Sequence, residues 1–192
     1  MANDRVYFIP WDQTTGSVLS SRCDVYNNYY KDQTHHKRNW TPVFYDDVHP
    51  GGVIANMGSG WGTRLVVAGH GAVNDGNIYA TEAGANPLSY TNIVDRLVAH
   101  GLKKYYTGTI GCDVCHSAEG ANPFAKRLAK ELHNRGYKLT CVIGYKGSLY
   151  SGYDLAADST LDGDHKYRHR TVETASGDRV KSKNAQERFY GL

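Results

Sequence analysis

The sequence lacks any apolar run long enough to cross a bilayer: nothing in its 192 residues approaches the roughly 20 consecutive apolar residues that a helical span needs. The amino end, Met1-Ala2-Asn3-Asp4-Arg5, runs directly into Val6-Tyr7-Phe8-Ile9, which is too short for the apolar region of a secretory signal. Neither a membrane span nor export by the general secretory route is therefore expected. Cysteine is scarce. The four present, Cys23, Cys112, Cys115 and Cys141, are too few for a disulfide scaffold of this size and are expected as thiols. An excess of one charge is also missing: 22 Lys and Arg against 19 Asp and Glu leave a formal +3, too mild to call for nucleic acid. No repeat or low-complexity tract interrupts the chain, and 40% hydrophobic with 21% charged residues is an ordinary globular balance, so one domain is expected.

Apolar runs and helix signals alternate along the chain. Val6 to Ile9, closed by Pro10, reads as a buried strand. Val18 to Tyr30 reads as a helix, Pro42 to Tyr45 as strand-like, and Gly51 to Gly62 as a glycine-rich loop. Leu65-Val66-Val67-Ala68 followed by Gly69-His70-Gly71 has the form of a central parallel strand ending in a tight loop. Ser89 is placed to cap a helix whose stripe is Ile93, Val94, Leu97 and Val98, with Gly101 as its stop. A strand is expected from about Lys103 to Val114. Asn122 as cap, Pro123 in the first turn, an apolar face of Phe124, Leu128, Ala129 and Leu132, and Gly136 at the end predict the next helix. Leu139 to Gly144 closes the series as a strand. Such an alternation implies an α/β fold with a mainly parallel sheet.

In an open parallel sheet, reactive groups gather where loops leave the carboxyl ends of the strands. Two such ends carry them here: Gly69-His70-Gly71, and the run Cys112-Asp113-Val114-Cys115-His116-Ser117-Ala118. One helix separates the two strands, which makes them neighbours or near-neighbours. A thiol attacks as thiolate, a form favoured by a nearby imidazole and a helix amino terminus. Gly71 would let the backbone approach a substrate carbonyl, and its N–H, with that of the cysteine, could form an oxyanion hole worth about 3–4 kcal/mol per donor.

The segments Leu65 to Gly71 and Gly108 to Ala118 resemble the two signature segments of caspase-like (clan CD) cysteine peptidases, the group of caspases, metacaspases, gingipains and self-cleaving toxin domains. Asp113-Val114-Cys115-His116-Ser117 is similar to the metacaspase motif, with Ala118 where those enzymes usually have glycine. Resemblance to bacterial toxin and effector domains continues through Phe124 to Gly147. It implies a three-layer α/β/α sandwich with a catalytic core over residues 63–147 and a C-terminal β-hairpin flap over 148–192, leaving 1–62 without a role. It implies a peptidase acting on protein or peptide substrates, with His70 and Cys115 catalytic, Gly71 at the oxyanion, and no cofactor or metal needed for the chemistry. It also implies a bacterial protein held in the cytoplasm before delivery to a host cytosol by a specialised system. In the metacaspase comparison Cys115 takes the nucleophile position, and in the comparison with inositol-phosphate-activated toxin domains Cys112 takes it; both remain open. Asp113 stands where metacaspase-like enzymes use an acid to bind a substrate Arg or Lys.

Near the carboxyl end, Lys166, Arg168 and Arg170 alternate, and after Ser176-Gly177-Asp178 so do Arg179, Lys181 and Lys183. On two strands whose faces coincide, six cations would converge on a polyphosphate, with Arg188 and Lys146 able to contribute. The placement resembles the toxin flap at which inositol hexakisphosphate binds as an activator. Other readings compete. Cys112 to His116 is a C-x-x-C-H string, the pattern for c-type haem attachment, for a redox dithiol, or for half a zinc site. A catalytically silent caspase-like module that binds a polyanion is the alternative to a peptidase.

Overall fold

The computed structural model describes residues 5–31, 39–47, 52–154 and 169–191. The chain opens with β1 (Arg5–Ile9), in which Val6, Tyr7, Phe8 and Ile9 are all fully buried. A strand buried on both faces belongs inside a sheet covered on both sides. After it come α1 (Ser17–Lys31), β2 (Thr41–Phe44) and β3 (Arg64–Ala68). A small antiparallel ladder of β4 (Asn77–Ile78) and β5 (Leu88–Ser89) leads into α2 (Tyr90–Ala99). Then follow β6 (Thr109–Asp113), α3 (Phe124–Asn134) and β7 (Cys141–Tyr145), and finally β8 (Ser148–Asp154), β9 (His169–Glu173), β10 (Arg179–Lys181) and β11 (Gln186–Phe189).

Six strands make the central sheet in the order β11-β7-β6-β3-β1-β2. Five are parallel, and β11 runs antiparallel along β7 at one edge. The chain steps from β1 to β2 in one direction and from β3 through β6 to β7 in the other. Right-handed crossovers then put α1 on one face and α2 and α3 on the other, and α2 does pack on α3. The fold is thus mixed α/β around a mainly parallel sheet, as the alternation predicts. A second sheet, β10-β9-β8, is antiparallel.

Three local features differ from expectation. The strand expected from Lys103 begins only at Thr109, because the Tyr106 N–H turns back onto the Lys103 carbonyl (2.9 Å) and Tyr106 buries its ring ahead of the sheet. Pro123, not Asn122, is the N-cap of α3, and no side chain caps it; the Ser117 carbonyl accepts the Ala125 N–H instead (2.9 Å). The edge strand β11 carries no strong alternation that would mark it in the sequence. By contrast Ser89 caps α2 as expected, in a reciprocal capping box with Asn92.

Candidate active site

The register of β3 and β6 brings the two reactive loops together. Ala68 pairs with Asp113 as the last residues of the two strands, and His70 and Cys115 each follow two residues beyond. Neighbouring strands lie about 4.8 Å apart, so both leave the carboxyl end of the sheet side by side. The Gly69 N–H still reaches the Asp113 carbonyl (3.2 Å). Beyond it the loops press against each other at Gly71, where a Cβ would lie 2.4 Å from Val114 Cγ1 and 2.7 Å from the Cys115 carbonyl oxygen. Only glycine permits that approach. Among the described residues, neither the Gly71 nor the Cys115 N–H donates to a backbone carbonyl.

The loops are also stitched further out. The Asn74 N–H donates to the Glu119 carbonyl (3.0 Å), and the Asn122 N–H donates to Asn74 Oδ1 (3.0 Å). His116 follows Cys115 with φ at 56°, a left-handed conformation costly for a non-glycine residue. Its surroundings hold it there: Nδ1 is 2.6 Å from Glu119 Oε2, Nε2 is 3.1 Å from Ser148 Oγ, and its N–H donates to the Gly147 carbonyl (2.8 Å). Cys115 therefore sits at the apex of a sharp, braced turn. Its Sγ accepts the Leu149 N–H at 3.2 Å and lies 3.9 Å from the Leu149 carbonyl oxygen, so the second sheet holds the thiol from one side.

The two cysteines of the C-x-x-C-H string have different surroundings. Cys112 is a fully buried strand residue, and burial pushes its thiol far above the ordinary range, helped by the Asp113 carboxylate. Cys115 lies beyond the strand and is only partly buried. The string thus does not present two thiols to one surface, as haem attachment or dithiol exchange requires. Cys23 is buried, which raises its thiol to about 12. Among the described residues, no three His, Cys, Asp or Glu side chains are grouped to hold a metal.

His70 makes contacts not legible in the sequence. Arg22, from α1, places Nη2 3.2 Å from both ring nitrogens of His70 and donates from Nη1 to the Gly69 carbonyl (3.1 Å). Burial first, and the Arg22 cation second, push the imidazole below its ordinary 6.5, outweighing Glu82 and Asp113. Both causes favour the neutral ring, the form that accepts a proton. Among the described residues His70 and Cys115 share no direct hydrogen bond; catalytic pairs without substrate are often loose in this way.

Asp113 has a different role from the one its position implied. It is 1% exposed and accepts from Tyr7 Oη and from Arg170 Nη2. Arg170 in turn donates from Nη1 to Tyr26 Oη and from Nε to the Tyr150 carbonyl (3.2 Å), with its guanidinium 5.2 Å from the Tyr26 ring centre. Burial alone would raise the Asp113 carboxyl; Arg170, then Arg22 and the Tyr7 hydroxyl, outweigh it and hold the group below its ordinary value. The carboxylate is closed off by the chain's own arginine, so it is not an open acid awaiting a substrate cation.

Arg170 also changes the picture of the basic hairpin. β9 and β10 pair Arg179 with Glu173 and Lys181 with Thr171, so Arg179 and Lys181 project from one face and Arg170, with Val172 and Val180, from the other. The expected convergence fails at Arg170, which is committed to Asp113. Arg179 lies over the Tyr150 ring (4.1 Å), Lys183 is exposed beyond β10, and Lys166 and Arg168 lie outside the described residues. Lys146 pairs with Glu187 (2.8 Å). The sequence matches no protein-family model and no curated protein.

Proposed function

We propose that the chain is a caspase-like cysteine peptidase in which Cys115 is the nucleophile and His70 the general acid and base. The observation that carries this reading is the register of β3 on β6, which delivers His70 and Cys115 side by side with Gly71 pressed against the Cys115 carbonyl. The neutral imidazole removes the Cys115 proton as Sγ bonds to the peptide carbonyl carbon. The resulting oxyanion is met by the Gly71 and Cys115 N–H groups. Collapse breaks the C–N bond, and His70 gives its proton to the departing amine. Water, deprotonated by His70, then attacks the thioester, releasing a carboxylate product and the free thiol.

The burial of Cys112 favours Cys115 over it as nucleophile. Because Asp113 is filled by Arg170, a basic residue before the scissile bond is not part of the proposal. A bacterial toxin or injected effector is the setting that the resemblance favours, and inositol hexakisphosphate is the effector to be tried. The test compares thiol alkylation and cleavage of a peptide library by wild type, Cys115→Ala, His70→Ala and Cys112→Ala, each with and without inositol hexakisphosphate. Activity lost in the first two variants and kept in the third is the expected result. Absence of cleavage by wild type in every condition would move a silent polyanion-binding module ahead of the peptidase.

A further inference from the structure

The amino ends of the parallel strands, opposite the reactive loops, carry a second distinctive surface. Trp61 is 80% exposed, Tyr105 64%, Leu139 63% and Tyr190 51%. Each belongs to the end of a different strand: Trp61 precedes β3, Tyr105 precedes β6, Leu139 precedes β7, and Tyr190 follows β11, whose Phe189 pairs with Val142 near the start of β7. In sheet order these four strands are consecutive, so the four side chains span roughly 15 Å across one pole. Hydrogen bonds join their loops, from the Thr107 N–H to the Ser59 carbonyl (3.0 Å) and from Thr140 Oγ1 to the Tyr106 carbonyl (2.9 Å).

The strand-end segments that carry this patch bear charge of one sign. Segments 59–64, 103–109, 135–141 and 188–191 contain six Lys and Arg and no Asp or Glu. Arg135 is neutralised by Asp95 and Glu131 from the helices. Arg64, Lys104, Lys138 and Arg188 are exposed, and among the described residues none of them forms an ion pair with a carboxylate. Exposed Trp and Tyr are amphipathic groups that settle at a lipid–water interface, Leu adds insertion into its apolar side, and a cationic rim matches anionic headgroups. A second copy of the same face would set cation against cation. Nucleic acid would use the cations and aromatics but would leave Leu139 without a task.

We propose that this pole is a peripheral docking surface for an anionic lipid bilayer, with Trp61, Tyr105, Leu139 and Tyr190 entering the interface and Arg64, Lys104 and Lys138 meeting the headgroups. Docked in this way, the molecule turns His70 and Cys115 away from the bilayer. The surface is independent of the peptidase reading and stands whether or not Cys115 is active.

The test is co-sedimentation of the full chain with phosphatidylserine–phosphatidylcholine vesicles and with phosphatidylcholine alone, alongside tryptophan emission. Trp11 and Trp40 are buried at 4% and 7%, so a blue shift on vesicle addition reports Trp61. Binding to the anionic vesicles alone, weakened by salt and accompanied by that shift, is expected. Lys104→Gln and Lys138→Gln should each weaken partition about fivefold. Trp61→Ser and Leu139→Ser should weaken it while leaving the melting temperature unchanged, and Cys115→Ala should bind as wild type. No binding to either vesicle, equal binding by Trp61→Ser, or binding to RNA or to itself in place of vesicles would overturn the proposal.

Discussion

The two ends of one parallel sheet treat charge and apolar surface in opposite ways. At the carboxyl end, the site is built on a hidden ion pair: Asp113 and Arg170 are buried against each other between Tyr7 and Tyr26. At the amino end, large apolar groups stand in water, and among the described residues the exposed Arg64, Lys104, Lys138 and Arg188 form no ion pair with a carboxylate. Buried charges cost several kcal/mol of desolvation each and keep a single geometry only when every bond is made, which suits a centre that must hold reacting atoms in place. Exposed aromatic and cationic groups need no rearrangement to meet a soft, laterally uniform partner. Strands of five residues separate the ends by about 16 Å, far enough for substitutions at one to leave the other unchanged.

The sharpest test of that separation is at the dyad. Cys115→Ala or His70→Ala is expected to lower cleavage about 10⁴-fold or more with unchanged vesicle binding and melting temperature; a parallel loss of vesicle binding would break the contrast. Next in size is Arg170→Ala, which strands a buried carboxylate and is expected to cost about 3–5 kcal/mol in denaturant unfolding. Arg170→Lys should recover part of it, since the ammonium keeps the charge but not the fork. The pH dependence has a definite sign. Folded Asp113 is held below 3.8, so its contribution is complete above that value and is lost as pH falls through the lower folded value. In Arg170→Ala that acid-side loss should largely vanish. Smaller again, Gly71→Ala forces a Cβ into Val114 and the Cys115 carbonyl. It should cost about 1–3 kcal/mol in stability and lower kcat by about 10²–10³-fold as the oxyanion donors shift.

The sequence made the two poles unequally legible. His70, Gly71 and Cys115 were readable because each sits next to an apolar run whose direction, in a parallel sheet, fixes the end at which the following loop emerges. The partners of those residues were not. Arg22 lies on a helix before β2, and Arg170 lies on β9; nothing local to either marks a contact with His70 or Asp113, because only the packing of α1 and the second sheet on the central one brings them there. The commitment of Asp113 is hidden for the same reason, since its neighbouring sequence is equally compatible with an open acid and only the fold brings Arg170 onto it. The hairpin reading assumed coincident faces, and the pairing of Arg179 with Glu173 puts Arg170 on the other face. At the amino pole three exposed aromatics and Leu139 are dispersed over four strand ends, and only the strand order collects them.

The smallest expected effect concerns Arg22, and it separates positioning from mere packing. Its guanidinium touches both His70 nitrogens while its other arm holds the Gly69 carbonyl, so it fixes both the ring and the backbone that carries it. Burial and the Arg22 cation together lower the His70 pKa below 6.5. Activity that needs neutral imidazole rises as pH passes upward through that value, so the acid limb of kcat/KM in wild type should lie below 6.5. In Arg22→Ala the burial contribution remains and the cation is gone, so the limb should move upward. Arg22→Lys, which keeps a cation, should restore part of the displacement even if the ring orientation is lost. If Arg22 were only packing, Arg22→Ala would lower kcat at every pH and leave the limb in place, and the protection of His70 from protonation would belong to burial alone.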